Sequence, residues 1–377
     1  MKILMTADTV GGVWHYALEL SRALAPFEVT VALATLGRPL TADQRDAVAK
    51  ISNMEVFEGR YKLSWMKGSS RDVEEAGTWL LSLAAQLRPA VIHLNDYAYG
   101  ALPWQAPVLL VGHSCVLSWW EAVRGEPVPA EWQRYRQEAT AGLHAADRVI
   151  APTWAMLTSL ERFYGPLPKG RVIPNARRAY DYVPGEKYPL ILSAGRLWDE
   201  AKNIAALAAV APNLPWPVYI AGEEEHPDGG RSDFAGVQRL GRLPPARLAH
   251  WYAQASIYAL PARYEPFGLS VLEAALAGCA LVLGDISSLR EVWGEAALFV
   301  APDDTRALQA ALQALINDPR RCARYAQRAR RRAVSLTPER MVGDYWAVYR
   351  ELNGVSGLRK AGPVYDAVYS LPVRGIS

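Results

Sequence analysis

From its first residue the chain alternates short apolar runs with longer amphipathic stretches. In the first half, residues 2–8, 28–35, 91–96, 108–114 and 148–153 are near-continuously apolar, which predicts short strands buried on both faces. Residues 13–24, 72–87 and 131–145 instead repeat apolar positions every three or four residues, the period of a helix with one buried face. Between Arg171 and Pro189 this rhythm breaks around Pro174, Pro184 and Gly185, which predicts a linker. It then resumes, with strands expected over 190–196, 218–223, 257–262, 280–285 and 298–301. Helices are expected over 204–210, 246–255, 269–277, 305–316 and 338–352, ahead of a tail containing glycine and proline.

Apolar strands separated by helices imply parallel βαβ units. The prediction is an α/β chain of two doubly wound parallel sheets. One domain spans 1–178, a linker 179–189 and a second domain 190–337, with a helix and tail over 338–377. Open α/β sheets bind ligands outside the carboxyl ends of their strands, so two such domains face to face place both ligand edges on one cleft.

Composition narrows this picture. A chain of 377 residues suits two domains, and 51% apolar with 21% charged residues excludes intrinsic disorder. The 41 Lys+Arg against 38 Asp+Glu leave +3, too little to make nucleic acid the expected partner. Only 8 of those 41 cations are lysines, so each lysine is informative. Cys115, Cys279 and Cys322 are odd in number and far apart, which gives neither a disulfide framework nor a metal-ligand spacing. Asp8 ends the first apolar run too early for a signal peptide, and no run approaches the length of a membrane span. The expectation is a soluble, reduced, cytoplasmic protein.

Three segments could carry chemistry. Gly11-Gly12 follows the first strand and precedes a helix, so a tight turn and helix N–H groups can face an anion; a purely structural turn is the competing reading. Arg196 ends a strand and Lys202 opens the next helical region, two cations suited to a diphosphate that leaves with its charge stabilised; solvated surface cations are the alternative. In the third segment, Arg263 to Ala275, Glu265 lies in a loop and Glu273 about one turn into a helix. There the N–H groups of Phe267, Gly268 and Leu269 are unsatisfied first-turn donors. Glu273 sits among Val271, Leu272, Ala274 and Ala275 and needs partners, for which sugar hydroxyls would serve. The alternative makes Glu265 a helix-dipole carboxylate and Glu273 a surface residue.

Glu265 and Glu273, with Pro266-Phe267-Gly268 between them, resemble the signature of the retaining family-4 glycosyltransferases. Gly195-Arg196, Lys202-Asn203, Gly241-Arg242-Leu243, Trp251-Tyr252 and Glu273-Ala274-Ala275 with Gly278 follow that family's order. Gly11-Gly12, Ala151-Pro152-Thr153 and Val172-Ile173-Pro174-Asn175 are similar to its N-terminal half, and the likeness extends to about residue 352. It implies a GT-B architecture of two facing Rossmann-like domains, the last helix returning to the first. It also implies a nucleotide-diphosphate sugar donor, UDP-linked by preference and GDP-linked as the alternative, bound as a substrate with no cofactor. By the same resemblance Arg196 and Lys202 hold the diphosphate, and Glu273 takes the ribose hydroxyls. Glu265 takes the donor sugar with the backbone of Phe267, Gly268 and Leu269. Gly12 approaches the phosphate, Leu243 lies near the base, and His113 stands beside the reacting carbon. Cys279-Ala280 and Arg263 depart from the family's usual residues and put the shape of the donor pocket in doubt. The implied reaction moves a hexose-type sugar with retention to a hydroxyl of a glycan, glycolipid or polysaccharide precursor. Its mechanism is a front-face substitution in which the leaving diphosphate takes the acceptor's proton. No Asp-x-Asp occurs in the chain, which fits a metal-independent site.

Other readings stay open beside this one. A sugar-nucleotide-binding protein, or a GT-B epimerase without acceptor, would use the same donor residues. His113 as base for a Cys115 nucleophile is a further rival, although side chains two apart on a strand diverge. Trp119, Trp120 and Arg124 could form an acceptor wall or could be core aromatics. Seven arginines between 320 and 332, with no acid among them, form either a solvated helix face or an attachment to anionic lipid at an inner membrane face. Oligomeric state is not readable from the sequence.

Overall fold

A computed structural model describes residues 1–226, 229 and 233–354; the tail over 355–377 lies outside the described residues. The first half runs β1 (Lys2–Asp8), α1 (Gly12–Leu24), β2 (Thr30–Leu36), α2 (Ala42–Ala49), β3 (Met54–Glu58), α3 (Ser70–Leu87) and β4 (Val91–Leu94). It continues with β5 (Val108–Val111), α4 (Val116–Arg124), α5 (Gln133–Ala145), β6 (Arg148–Ala151), α6 (Trp154–Tyr164) and β7 (Gly170–Val172). These strands form one parallel sheet in the order β3-β2-β1-β4-β5-β6-β7.

The second half runs β8 (Tyr188–Arg196), α7 (Ile204–Val210), β9 (Val218–Glu223), β10 (Gln238–Gly241), α8 (Pro245–Gln254), β11 (Ala255–Leu260) and α9 (Leu269–Leu276). Then come β12 (Ala280–Gly284), α10 (Ser287–Trp293), β13 (Leu298–Val300), α11 (Thr305–Ile316), α12 (Pro319–Ala333) and α13 (Pro338–Leu352). Its parallel sheet is ordered β10-β9-β8-β11-β12-β13. Both sheets are doubly wound, and each is covered on both faces.

Successive residues explain the two-sided burial. Leu4, Ile92 and Leu110 enter one core of the first sheet while Ile3, Met5, Val91 and Leu109 enter the other. Tyr345 and Tyr349 of α13 join the second of these cores, so the last helix returns to the first domain. It is bonded there: His93 of β4, fully buried, contacts the Tyr349 hydroxyl at 2.6 Å and the Tyr16 hydroxyl at 3.3 Å. Glu351 pairs with Arg148 and with Arg171, the latter at 3.0 Å.

The linker is pinned at its far end. Lys187 donates to the carbonyls of Tyr252, Ala255 and Ala277 at 3.0, 2.9 and 2.7 Å, where α8 and α9 end and their carbonyls lack helical partners. The short edge strands β3, β7 and β10 and the helices α2, α4, α6 and α10 were not among the elements the apolar pattern predicts. An edge strand such as Met54–Glu58 is only half-buried and carries no continuous apolar run.

Candidate donor site at the sheet switch points

Strand order reverses between β1 and β4 and between β8 and β11, and helices leaving in opposite directions open a crevice at such points. The residues that follow these four strands meet across the cleft. After β1, Gly11 adopts φ +97, which only glycine takes without strain, and α1 begins with no side-chain cap and no acid in its first turn. A Cβ on Gly11 would lie 3.6 Å from the Arg196 side chain, and one on Gly12 would lie 3.5 Å from Leu269. The glycine turn therefore brings a bare helix N-terminus against Arg196 and Leu269 of the second domain, an arrangement suited to an anion.

Arg196 and Lys202 stand at the carboxyl edge of β8, each already paired. Arg196 Nη2 lies 2.9 Å from Asp199, and its guanidinium sits 5.2 Å from the Trp198 ring centre, itself stacked on Trp65 across the cleft at 6.4 Å. Lys202 Nζ lies 2.6 Å from Glu265 Oε2. Burial works against the Asp199 carboxylate, but Arg196, Lys202 and the hydrogen bonds from Trp119 and Ala201 outweigh it and hold its pKa below the ordinary value. The site is thus a four-charge cluster, not the pair of unpartnered cations that the sequence suggests. Asp199 was missed there; its signal is local, since it caps the turn Glu200–Lys202 by accepting from Ala201 N–H.

The loop before α9 corrects a second expectation. Gly268 N–H is not unsatisfied, because Glu265 Oε1 accepts it at 3.0 Å, leaving the N–H groups of Phe267 and Leu269 as the first-turn donors of that helix. Glu265 is therefore fixed by Lys202 on one oxygen and Gly268 on the other, while Ser288 donates to its carbonyl at 2.6 Å. Glu273 is buried, which removes the surface alternative. Arg177 Nε donates to its Oε1 at 2.7 Å, and both side chains are nearly inaccessible. No local pattern could have announced Arg177, whose partner lies 96 residues away.

β5 stops at Val111, so His113 stands in the loop beyond the strand. Its Nε2 lies 2.9 Å from Asn95 Oδ1, while the Asn95 amide nitrogen donates to Thr6 O. That network assigns the proton to Nε2 and leaves Nδ1 as an acceptor. Burial lowers the pKa of His113 to about 3, so the ring is neutral. Cys115 is engaged with Ser118 at the start of α4, and burial pushes its thiol up; it makes no bond to His113, which removes the histidine–cysteine rival. Asp8, at the end of β1, is raised to about 7 by burial, with Arg196 and the Val10 N–H opposing. Among the described residues no group of three or more His, Cys, Asp or Glu side chains could hold a metal ion.

Residues 10–177 match the profile of the family described as Glycosyltransferase Family 4, and residues 188–318 that of Glycosyl transferases group 1. The chain is 39% identical to the glycogen synthase of Mycobacterium tuberculosis over 89% of its own length and 91% of that protein's. It belongs to the family-4 glycosyltransferases. Sucrose-phosphate synthase from Thermosynechococcus elongatus superposes on 94% of the transferase and 100% of itself, with a TM-score of 0.79 at 22% identity. Anabaena HepE in complex with UDP-glucose superposes on 93% and 100%, with a TM-score of 0.72 at 16% identity. The transferase has the GT-B architecture of these neighbours.

The remaining expected site residues of the transferase lie away from the cation cluster or serve the seam between its domains. Trp119 Nε1 donates to Asp199 at 2.9 Å, and Arg124 pairs with Glu200 at 2.7 Å. Trp120 packs edge-on to Trp119, and Arg124 lies over both rings. These three acceptor-side candidates thus bridge to the second domain; beside them Arg124, Glu200, Arg263 and Asp303 line a cavity of about 400 Å³. Leu243 is half-buried against the core of the second domain. Tyr264 reaches into the first domain, contacting Ser118 Oγ at 2.8 Å and accepting from Cys115 N–H at 3.1 Å. Glu291 accepts from Trp154 and Ala155 N–H at 2.7 and 2.8 Å, so the start of α6 is capped by the other domain. No helix among the described residues is long and apolar enough to cross a membrane.

Proposed function

We propose that this glycosyltransferase moves a hexose-type sugar, with retention, from a nucleotide-diphosphate sugar to a hydroxyl of a glycan, glycolipid or polysaccharide precursor. UDP is the favoured carrier and GDP the alternative. The observation that carries this reading is the Arg196/Asp199/Lys202/Glu265 cluster opposite the Gly11-Gly12 turn. The glycogen-synthase relative and the UDP-glucose-bound neighbour agree with it.

In this reading the diphosphate lies between Arg196, Lys202 and the start of α1, and Glu265 takes the donor sugar's hydroxyls with the N–H groups of Phe267 and Leu269. Glu273 takes the ribose, Leu243 borders the base, and neutral His113 accepts a hydrogen bond at Nδ1 from a hydroxyl of the transferred sugar. Bond breaking places charge on the leaving diphosphate, where two fixed cations stabilise it without a metal ion, and the leaving oxygen takes the acceptor's proton as the new glycosidic bond forms on the same face. Asp199 and Glu265 hold both cations in place before the donor arrives, which reduces reorganisation during reaction. No cofactor enters this scheme.

The test measures transfer from UDP-glucose to an oligosaccharide acceptor, with and without EDTA. Wild-type transfer should survive EDTA with the anomeric configuration retained, and R196A/K202A should lose roughly 100-fold or more in kcat. Unchanged kcat in the double variant would sink the site assignment. Activity lost to EDTA and restored only by Mg²⁺ or Mn²⁺ would sink metal independence. Epimerised donor formed in the absence of acceptor would instead favour the epimerase reading.

A further inference from the structure

Arg177 sits where the first domain ends, two residues beyond Asn175 of the run Val172-Ile173-Pro174-Asn175. Its guanidinium is 3% exposed, a position that an arginine occupies only with strong partners. Three elements meet on it. Its Nε–H donates to Glu273 on α9 at 2.7 Å, its Nη1 approaches the His15 carbonyl in the first turn of α1 at 3.5 Å, and its own N–H donates to Leu336 O at 3.3 Å. Burial alone would lower the guanidinium pKa, but the Glu273 carboxylate reverses this and raises it, so the guanidinium keeps its charge. Tyr182 leans on the same carboxylate: burial and then Glu273 push its phenol up. His15 itself stands exposed in the first turn of α1.

We propose that Arg177 is a positioning residue for recognition of the donor's ribose, an inference that rests on reading Glu273 as the ribose carboxylate. A carboxylate on an apolar helix face, with Val271, Leu272, Ala274 and Ala275 around it, has no fixed orientation of its own. Arg177 takes Oε1 and thereby sets the direction in which the second oxygen is offered. Because the same guanidinium reaches the start of α1, the ribose carboxylate and the glycine turn are held in one frame across the cleft. A merely structural ion pair would stabilise the fold without sensing which hydroxyls the ligand carries.

The experiment compares two ligands within each variant, so that loss of stability cancels. Whichever of UDP, GDP and ADP raises the wild-type melting temperature most is titrated beside its 2′,3′-dideoxy form, into protein whose fold is checked by circular dichroism. The wild type should prefer the ribose form by roughly tenfold or more, and E273Q should lose that preference. R177K, which keeps the charge but not the Nε–H, should show a severalfold smaller preference than the wild type, and R177Q should approach E273Q. A wild-type preference in either folded Arg177 variant, with the preference lost in E273Q, overturns the role of Arg177 and leaves Glu273 in place. A full preference in E273Q overturns the ribose reading itself.

Discussion

Asp8 holds its proton to about pH 7 because burial at the end of β1 disfavours its charge more than Arg196 favours it. Above that pH its carboxylate would stand beside the arginine assigned to the donor diphosphate. UDP-glucose affinity should therefore fall severalfold between pH 6 and pH 8 by titration calorimetry, and D8N should bind alike at both. The stability sign follows from the same shift. The folded pKa is raised above the ordinary 3.8, so the contribution is present below about 3.8 and lost as pH rises through about 7. D8N should gain on the wild type at pH 8 in urea melts; equal pH dependence of both would refute the assignment. Arg196, Lys202, Glu265 and Glu273, proposed here for the donor, stand out in the sequence because they sit at fixed offsets from strand and helix ends. The sequence hid the state of Asp8, because the residues that bury and bias it come from distant parts of the chain.

Among the elements, α13 shows how a single helix can belong to a domain far from it in sequence. His93 lies between Tyr16 of α1 and Tyr349 of α13, and one neutral imidazole donates to one hydroxyl and accepts from the other. Burial lowers its pKa to about 3 from the ordinary 6.5, so its contribution is complete above about pH 6.5 and fades as pH falls toward 3. H93L leaves two buried hydroxyls without that partner and should lose about 1–3 kcal/mol at pH 7. The wild-type advantage over H93L should shrink at pH 4.5, and an advantage that grows there would contradict a buried neutral histidine. The long strands and amphipathic helices were readable because their period shows in the sequence. β7 and β10 lie at sheet edges, only partly buried, and carry no continuous apolar run to reveal them.

At the scale of the whole molecule, the break near Pro184 separates the two sheets, but the side chains that close the seam carried no local signal. Tyr264, Glu291 and the paired Arg38–Glu223, at 2.8 Å, act across more than one hundred residues each. The overall charge of +3 also conceals a local surface. On α12, Arg320, Arg324, Arg328 and Arg331 share one exposed arc and have no carboxylate partner among the described residues, while Cys322, Ala329 and Ala333 face inward. Each arginine at an anionic bilayer contributes about 1 kcal/mol. The protein should therefore sediment with vesicles containing phosphatidylglycerol at low salt and release at high salt. R324E/R328E should abolish sedimentation, and unaltered binding in that variant would mark the stripe as a solvated face.

The contact between Arg177 N–H and Leu336 O has a mechanical meaning. The chain passes between the domains twice, once into β8 and once back into α13, and this bond joins the two passages side by side. Two strands tied at one place form a spine, like that of a book. Any opening of the two domains would turn about this tie, which lies beside the buried Arg177–Glu273 pair.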